Sequence, residues 1–160
     1  MSSKSEFAEI DLNWAHFDAL SARDVYDALK LRCLVFIVEQ ECHYPDIDGE
    51  DLAAVHLLAR RKSDGKLVAY LRVFEPTQVA SYWKIGRVVV DPSARGSGLA
   101  RQIMSSAMAY CKDHGAGSEI HLQAQVYLSA FYESFGFKPV SSEYLEDGIP
   151  HIDMKKSSLG

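Results

Sequence analysis

The 160-residue chain has little cysteine, and what it has shows no pairing pattern. Cys33, Cys42 and Cys111 are odd in number and form no Cys-x-x-Cys, which excludes a disulfide framework and points to free thiols in a reducing compartment. No apolar run reaches the length of a bilayer span, and the N-terminal "MSSKSEFAEI" lacks the apolar stretch of a secretory signal. Basic residues are the minority: 17 Lys and Arg against 22 Asp and Glu leave a formal charge of -5, which argues against a nucleic-acid partner. His16, His114 and His121 have no metal-ligand spacing, so no metal is expected. With no repeat, low-complexity tract or linker, the expectation is one domain over residues 1–160 in the cytoplasm, without a membrane partner.

What is present is a chain 48% hydrophobic, enough for a real core. "AEIDLNWAHF" alternates as a half-buried strand. Ser21 offers an N-cap with Asp24 where a capping-box acid sits, and Tyr26, Leu29, Cys33 and Phe36 follow at helical spacing for about four turns. "EQECHYPDIDGED" reads as a solvated acidic loop; its Gly49 and missing position-twelve glutamate do not fit a calcium loop. "AVHLLARR" and "KLVAYLRVF" form a hairpin across Asp64-Gly65, and "YWKIGRVVV" is a further strand. Leu99, Ile103, Ala107 and Tyr110 line the next helix, ended by Gly115. "EIHLQAQ" is a strand, "LSAFYESF" a short helix stopped by Gly136, and "FKPVS" and "HIDMK" are the last strands. The order β-α-β-β-β-α-β-α-β-β predicts a mixed α/β (α+β) sheet in place of a doubly wound one.

The stretch "VVVDPSARGSGLA" (88–100) carries chemistry. It lacks the Gly-Lys-Ser/Thr of a Walker loop, and Arg101 stands where a dinucleotide fingerprint needs Gly or Ala. It does place glycines 96 and 98 between a strand and a helix, where unpaired helix N–H groups and the positive dipole end can hold an anion. Arg95 and Arg101 can add charge-assisted bonds. A tight turn with incidental glycines is the plain alternative.

Arg95 to Ala100 fits the pattern Q/R-x-x-G-x-G/A, Val-x-Val-Asp-Pro precedes it, and "FYESFGF" follows. Together these resemble the GNAT family of N-acetyltransferases over nearly the whole chain. "LRCLVFIVEQECHYPDIDGED", "IGRVVV", "QAQVYLSAFYESFGF" and "EDGIPHIDM" resemble its ElaA-like subfamily of small bacterial enzymes. The resemblance implies a GNAT-like fold, a central sheet flanked by helices and splayed between the strands at 84–91 and 118–125. It implies acetyl-CoA (coenzyme A) as cofactor. Val88, Val89 and Val90 would pair with the pantetheine arm, and Arg95, Gly96, Ser97, Gly98, Leu99 and Ala100 would hold the pyrophosphate. Gln125 stands where many members carry Asn, seven residues before Tyr132, which leaves that one contact open. Small members of the family are often homodimers.

The activity so implied is acetyl transfer to a primary amine of a small molecule or peptide by direct attack. Tyr132 matches the tyrosine that donates to the leaving sulfur, with a core aromatic as the plain alternative. Backbone N–H groups near Val90 would face the developing oxyanion. For the base, Glu39, Glu41, His43, Glu50 and His56 fall near the acceptor side; Glu39 and His56 are the candidates, and a water relay would serve equally. Arg72, Gln123 and His151 are candidates for the acceptor pocket. The acidic loop predicts a field that gathers cationic amines. Two other readings stay open. "LKLRCLVFIVEQE" resembles acyl-homoserine-lactone synthases, which share the fold and are expected to take their acyl group from a carrier protein. A CoA-binding module without catalysis is the other.

Overall fold

The computed structural model describes residues 9–115 and 118–157. β1 (Ile10–His16), β2 (Val55–Arg61), β3 (Leu67–Phe74) and β4 (Trp83–Val90) pair antiparallel in chain order. β4 then pairs parallel with β5 (Glu119–Gln125), and the sheet ends with β8 (Ile149–Ser157) and β6 (Lys138–Pro139). The expected mixed sheet is therefore present. Among the described residues no helix is long and apolar enough to cross a membrane.

Helices cover both faces. α1 (Ala22–Arg32) begins at Ser21, whose hydroxyl accepts from the Asp24 N–H at 3.0 Å while the Asp24 carboxylate accepts from the Ser21 N–H at 3.2 Å. That is the expected capping box. The buried face differs from the expected one: Tyr26 and Cys33 are exposed, and Ala28, Leu31, Arg32 and Val35 are buried. Beyond Arg32 the helix widens to a π-helical segment, Cys33–Glu39, which shifts the register of the buried stripe. Ala28, Leu31 and Val35 pack on Leu58, Tyr70 and Val89. α2 (Leu99–Gly115) lies on the opposite face, where Ile103, Met104, Ala107 and Cys111 are fully buried against the sheet. Full burial of Ile103 and of Met104 contributes roughly 1.5–3 kcal/mol each.

Two local features shape the site. Arg72 faces Gly86 across β3 and β4, but Tyr70 faces Val89, so Arg87 and Val88 together oppose Leu71. This is a β-bulge, and Arg87 sits in the left-handed region at φ 53. A bulge bends its strand and increases its twist. Just there, β4 and β5 part: they pair only from Trp83–Ile120 to Ile85–Leu122, while β4 runs on to Val90 and β5 to Gln125. The expected splay is present.

The second feature was not read from the sequence. A short strand β7 (Tyr144–Glu146) pairs with β8, joined by Asp147-Gly148 at φ 50 and 79. Two positive φ values make this a type I′ hairpin turn. β8 accordingly starts at Ile149, before the expected "HIDMK".

Candidate functional site

Where β4 and β5 part, a cleft of about 660 Å³ opens. Lys84 to Val88 form one wall; Leu122, Gln123 and Gln125 form the other. Tyr132, from the short helix α3 (Ser129–Glu133), closes the inner end, and the β7–β8 hairpin with the 42–50 loop borders the outer end. Beyond Ile85 the edge of β4 that faces β5 has no partner strand among the described residues. Its backbone amides are therefore available to an amide-rich ligand. Of the three valines, only Val88 lines the cleft; Val89 points into the core under α1, and Val90 packs towards α2.

Tyr132 is 6% exposed, and its hydroxyl makes no hydrogen bond among the described residues. Burial pushes its pKa up to about 12, so the group stays protonated at neutral pH. The side chain lines the cleft, so its hydroxyl is open to an acceptor placed there. Its ring packs edge-on against Phe131 and Phe137, so it is also part of the core.

The glycine loop is held by its own hydrogen bonds. The Asp91 carboxylate accepts from the Ser93 N–H at 2.9 Å and its hydroxyl at 2.6 Å, Pro92 starts a short 3-10 turn, and the Ser97 hydroxyl donates to the Ala94 carbonyl at 2.6 Å. Gly96 and Gly98 take φ values of 80 and 82, and a Cβ on either would meet nothing within 4 Å. Space over the loop is open at the start of α2, where helix N–H groups lack partners. Arg95, Gly96, Ser97 and Leu99 line a second hollow of about 370 Å³. Leu99 is itself 4% exposed and Ala100 is half-buried, so these two could offer only backbone to a ligand. The loop thus fits a phosphate-bearing group. Its arginines are engaged elsewhere: Arg95 donates to Glu39, and Arg101 donates to Ser134 Oγ at 2.7 Å and lies over the Phe135 ring.

The acidic loop is not solvated as expected. Arg32, 1% exposed, donates through Nε to Asp46 at 3.0 Å and through Nη1 to Asp51 at 2.8 Å. Arg72 grips Asp48 at 2.6 and 3.0 Å and reaches Asp51 at 2.9 Å. Arg87, turned by the bulge, meets Asp48 at 3.2 Å. Its Nε is 2.8 Å from Asp46 Oδ1, close enough for an ion pair but not aligned as a hydrogen bond. Three arginines thus neutralise three aspartates. The hydrogen bonds from Arg72 hold Asp48 well below the usual carboxylate range. Burial opposes ionisation of Asp51, but the bonds from Arg32 and Arg72 outweigh it and lower its pKa. The expected cation-gathering field therefore loses these carboxylates; Glu50, Glu146 and Asp147 remain exposed at the cleft mouth.

Both expected bases are displaced for physical reasons. The Glu39 carboxylate accepts twice from Arg95, at 2.5 and 2.6 Å, and this pairing lowers its pKa, making it a weaker base. His56 is 2% exposed and lies outside the cleft lining. Its Nε2 is 2.9 Å from the Asp51 carbonyl, which can only accept, so Nε2 carries the proton; Nδ1 then accepts from the Tyr70 hydroxyl at 2.6 Å. Burial lowers its pKa further. His56 is a structural histidine.

Arg72, Gln123, Gln125 and His151 all line the cleft, as does Tyr132. Gln125 Nε2 donates to Gln40 Oε1 at 3.3 Å. Arg72 borders the cleft with its guanidinium committed to Asp48 and Asp51. Arg87 and the hairpin residues Glu146 and Asp147 went unread. For Arg87 a signal existed, since an isolated glycine within a strand pattern, here Gly86, suggests a bulge.

Residues 23–158 match the family described as acetyltransferase (GNAT) domain. Protein ElaA of Escherichia coli strain K12 is 43% identical over 146 residues, covering 90% of this chain and 94% of that protein. The crystal structure of E. coli ElaA superposes with a TM-score of 0.87 over 93% of this chain and 100% of that one. An acyl-CoA N-acyltransferase from Pseudomonas aeruginosa gives a TM-score of 0.88 at 40% identity, over 93% of this chain and 100% of that one. The fold is also shared, at 19% identity and a TM-score of 0.70 over 92% of this chain and 82% of that one, by BjaI, described as a CoA-dependent acyl-homoserine lactone synthase. That description names CoA, where the expectation from sequence was a carrier-protein donor for such synthases.

Proposed function

Because the chain belongs to the GNAT acetyltransferase family, we propose that it transfers the acetyl group of acetyl-CoA to a primary amine of a small molecule or peptide. The observation that carries this reading is the alignment along one cleft of an unpaired β4 edge and the Tyr132 side chain, beside a glycine loop held by its own hydrogen bonds. The loop N–H groups would hold the pyrophosphate, and the β4 edge amides the pantetheine arm. When bound, acetyl-CoA supplies an activated acetyl group on sulfur, and the thiol is the group that departs. Tyr132, kept protonated by burial, would hold a proton at the position where that sulfur needs one. The whole chain would act as one cytoplasmic unit.

The reading is tested by free-thiol release from acetyl-CoA across a panel of amines, polyamines, aminoglycosides and peptides, with longer acyl-CoA donors alongside. Tyr132→Phe should slow turnover by roughly tenfold to a few hundredfold, because a thiol is already a fair leaving group and needs less help than the usual 10²–10⁴. Cofactor affinity should stay near wild type. Normal turnover in Tyr132→Phe would return Tyr132 to the core and remove its catalytic role.

A further inference from the structure

Transfer to an amine needs an acceptor for the ammonium proton; Glu39 is paired with Arg95, and His56 lies outside the cleft lining. His151 is placed to accept that proton. It is the one histidine lining the cleft among the described residues. In the β5–β8 register it stands opposite Gln125, past the last β4–β5 pair at Leu122, where the sheet is already open. Its side chain is only 12% exposed, whereas the cleft carboxylates Glu50, Glu146 and Asp147 sit at the exposed mouth.

The tautomer follows from its neighbours. Nδ1 lies 2.7 Å from the Ile149 carbonyl oxygen, which can only accept, so Nδ1 carries the hydrogen. Nε2 is left with its lone pair and has no hydrogen-bond donor among the described residues; its nearest charged neighbour is the Glu146 carboxylate at 3.9 Å. The ring stacks on Tyr144 at 6.1 Å and 23°, and Tyr144 is fixed in turn by its hydroxyl donating to Asp153 at 2.6 Å. Such backing sets the ring plane and leaves one basic nitrogen free.

We propose that His151 is the general base of the acceptor site, taking a proton from the incoming ammonium at Nε2 and passing it to solvent. This rests on the amine-acetylation reading above. The step balances as a proton transfer: the ammonium N–H bond breaks, the Nε2–H bond forms, and the free amine keeps the electron pair it needs to attack. The imidazolium charge is met by Glu146 beside Nε2 and by the Ile149 carbonyl behind Nδ1. The other charged or titratable groups near it are Tyr144 on β7, which stacks on the ring, Asp147, which lines the same cleft, and Asp153 on β8, which holds Tyr144, while β5 presents neutral Gln123 and Gln125. Arg72 and Arg87 on the far wall are neutralised by Asp46, Asp48 and Asp51, and Lys84 is the remaining cation of the lining.

His151→Asn tests this, because the Asn amide can keep a donor for the Ile149 carbonyl while removing Nε2. With strongly basic alkylamines, turnover should fall roughly 10²-fold or more. With weakly basic amines, already uncharged at the assay pH, the loss should be much smaller, and acetyl-CoA affinity should match wild type. Equal losses with both amine classes, or none, would overturn the proposal while leaving acetyl transfer intact. A wild-type protein that binds no acetyl-CoA would overturn both. A readout independent of turnover is the imidazole nitrogen resonances of His151 in the native protein. They should report a protonated Nδ1 and a bare Nε2 when the ring is neutral, and the opposite tautomer overturns the assignment whatever the activity.

Discussion

Two sets of ion pairs flank the cleft, and they are built in opposite ways. Beside the 46–51 loop, Arg32, Arg72 and Arg87 are interlaced with Asp46, Asp48 and Asp51, and the innermost pair, Arg32–Asp46, has side-chain exposures of 1% and 3%. At the glycine loop a single pair, Glu39–Arg95, is 41% and 44% exposed. The first set exchanges hydration for a fixed geometry that holds a non-helical loop against the sheet. The second joins two segments by a contact that water and salt can loosen. Charges counted along the chain look alike in both regions; burial separates a scaffold from a movable contact.

Breaking the buried set should have the larger effect. Arg32→Met retains most of the stem's volume but leaves Asp46 and Asp51 short of their partner inside the protein. Removing one member of a buried pair typically costs about 3–5 kcal/mol. Urea unfolding should show a loss of that order, with the loop from Asp46 to Asp51 losing protection from hydrogen exchange first. A loss below about 1 kcal/mol would mean that the aspartates find water, and the distinction between the two regions would collapse.

Acid should reach the same network next. Asp48 and Asp51 have folded-state pKa values below those of the unfolded chain, so their contribution is full above the unfolded value near 4. It is lost as pH falls through the folded values, at about 1.4 kcal/mol per unit of depression. Burial also depresses His56, so the fold loses stability earlier as well, once pH drops below its unfolded value of about 6.5. Unfolding free energy should therefore decline in two stages on acidification, and His56→Gln should remove the upper stage. A single transition confined below pH 4 in the unmodified protein would count against the burial of neutral His56.

Much of the frame was legible because its signals are local. The Ser21–Asp24 capping box, the Asp64-Gly65 hairpin and the α2 stripe each depend on residues within a few positions of one another. Asp147-Gly148 carries the same hairpin signal as Asp64-Gly65 and was passed over, because the strand before it is only three residues long. The buried face of α1 was missed for a different reason. A pattern of apolar residues cannot register Arg32, a charge that sits in the core because carboxylates 14 and 19 residues later close over it. The same distance hides the pairing of the acidic loop. It also hid the partners of Glu39, His56 and His151, since which ring nitrogen is free depends on a carbonyl that only the folded chain brings near.

The smallest effect expected is at the exposed pair, and it is the sharpest test of what that pair does. Glu39→Gln removes the charge that occupies Arg95 and frees the guanidinium for an anion at the glycine loop. An exposed pair is worth at most about 1 kcal/mol, so acetyl-CoA should bind up to about fivefold more tightly. The gain should shrink as salt rises, because salt already weakens the pair in the unaltered protein. Turnover at saturating substrates should stay near wild type, since a carboxylate tied to arginine supplies no base. Titration of acetyl-CoA at two ionic strengths, with turnover measured alongside, separates the outcomes. Weaker binding in Glu39→Gln would show that Glu39 orients Arg95 towards the ligand instead of competing for it. A large fall in turnover with unchanged binding would restore Glu39 as the base and displace His151.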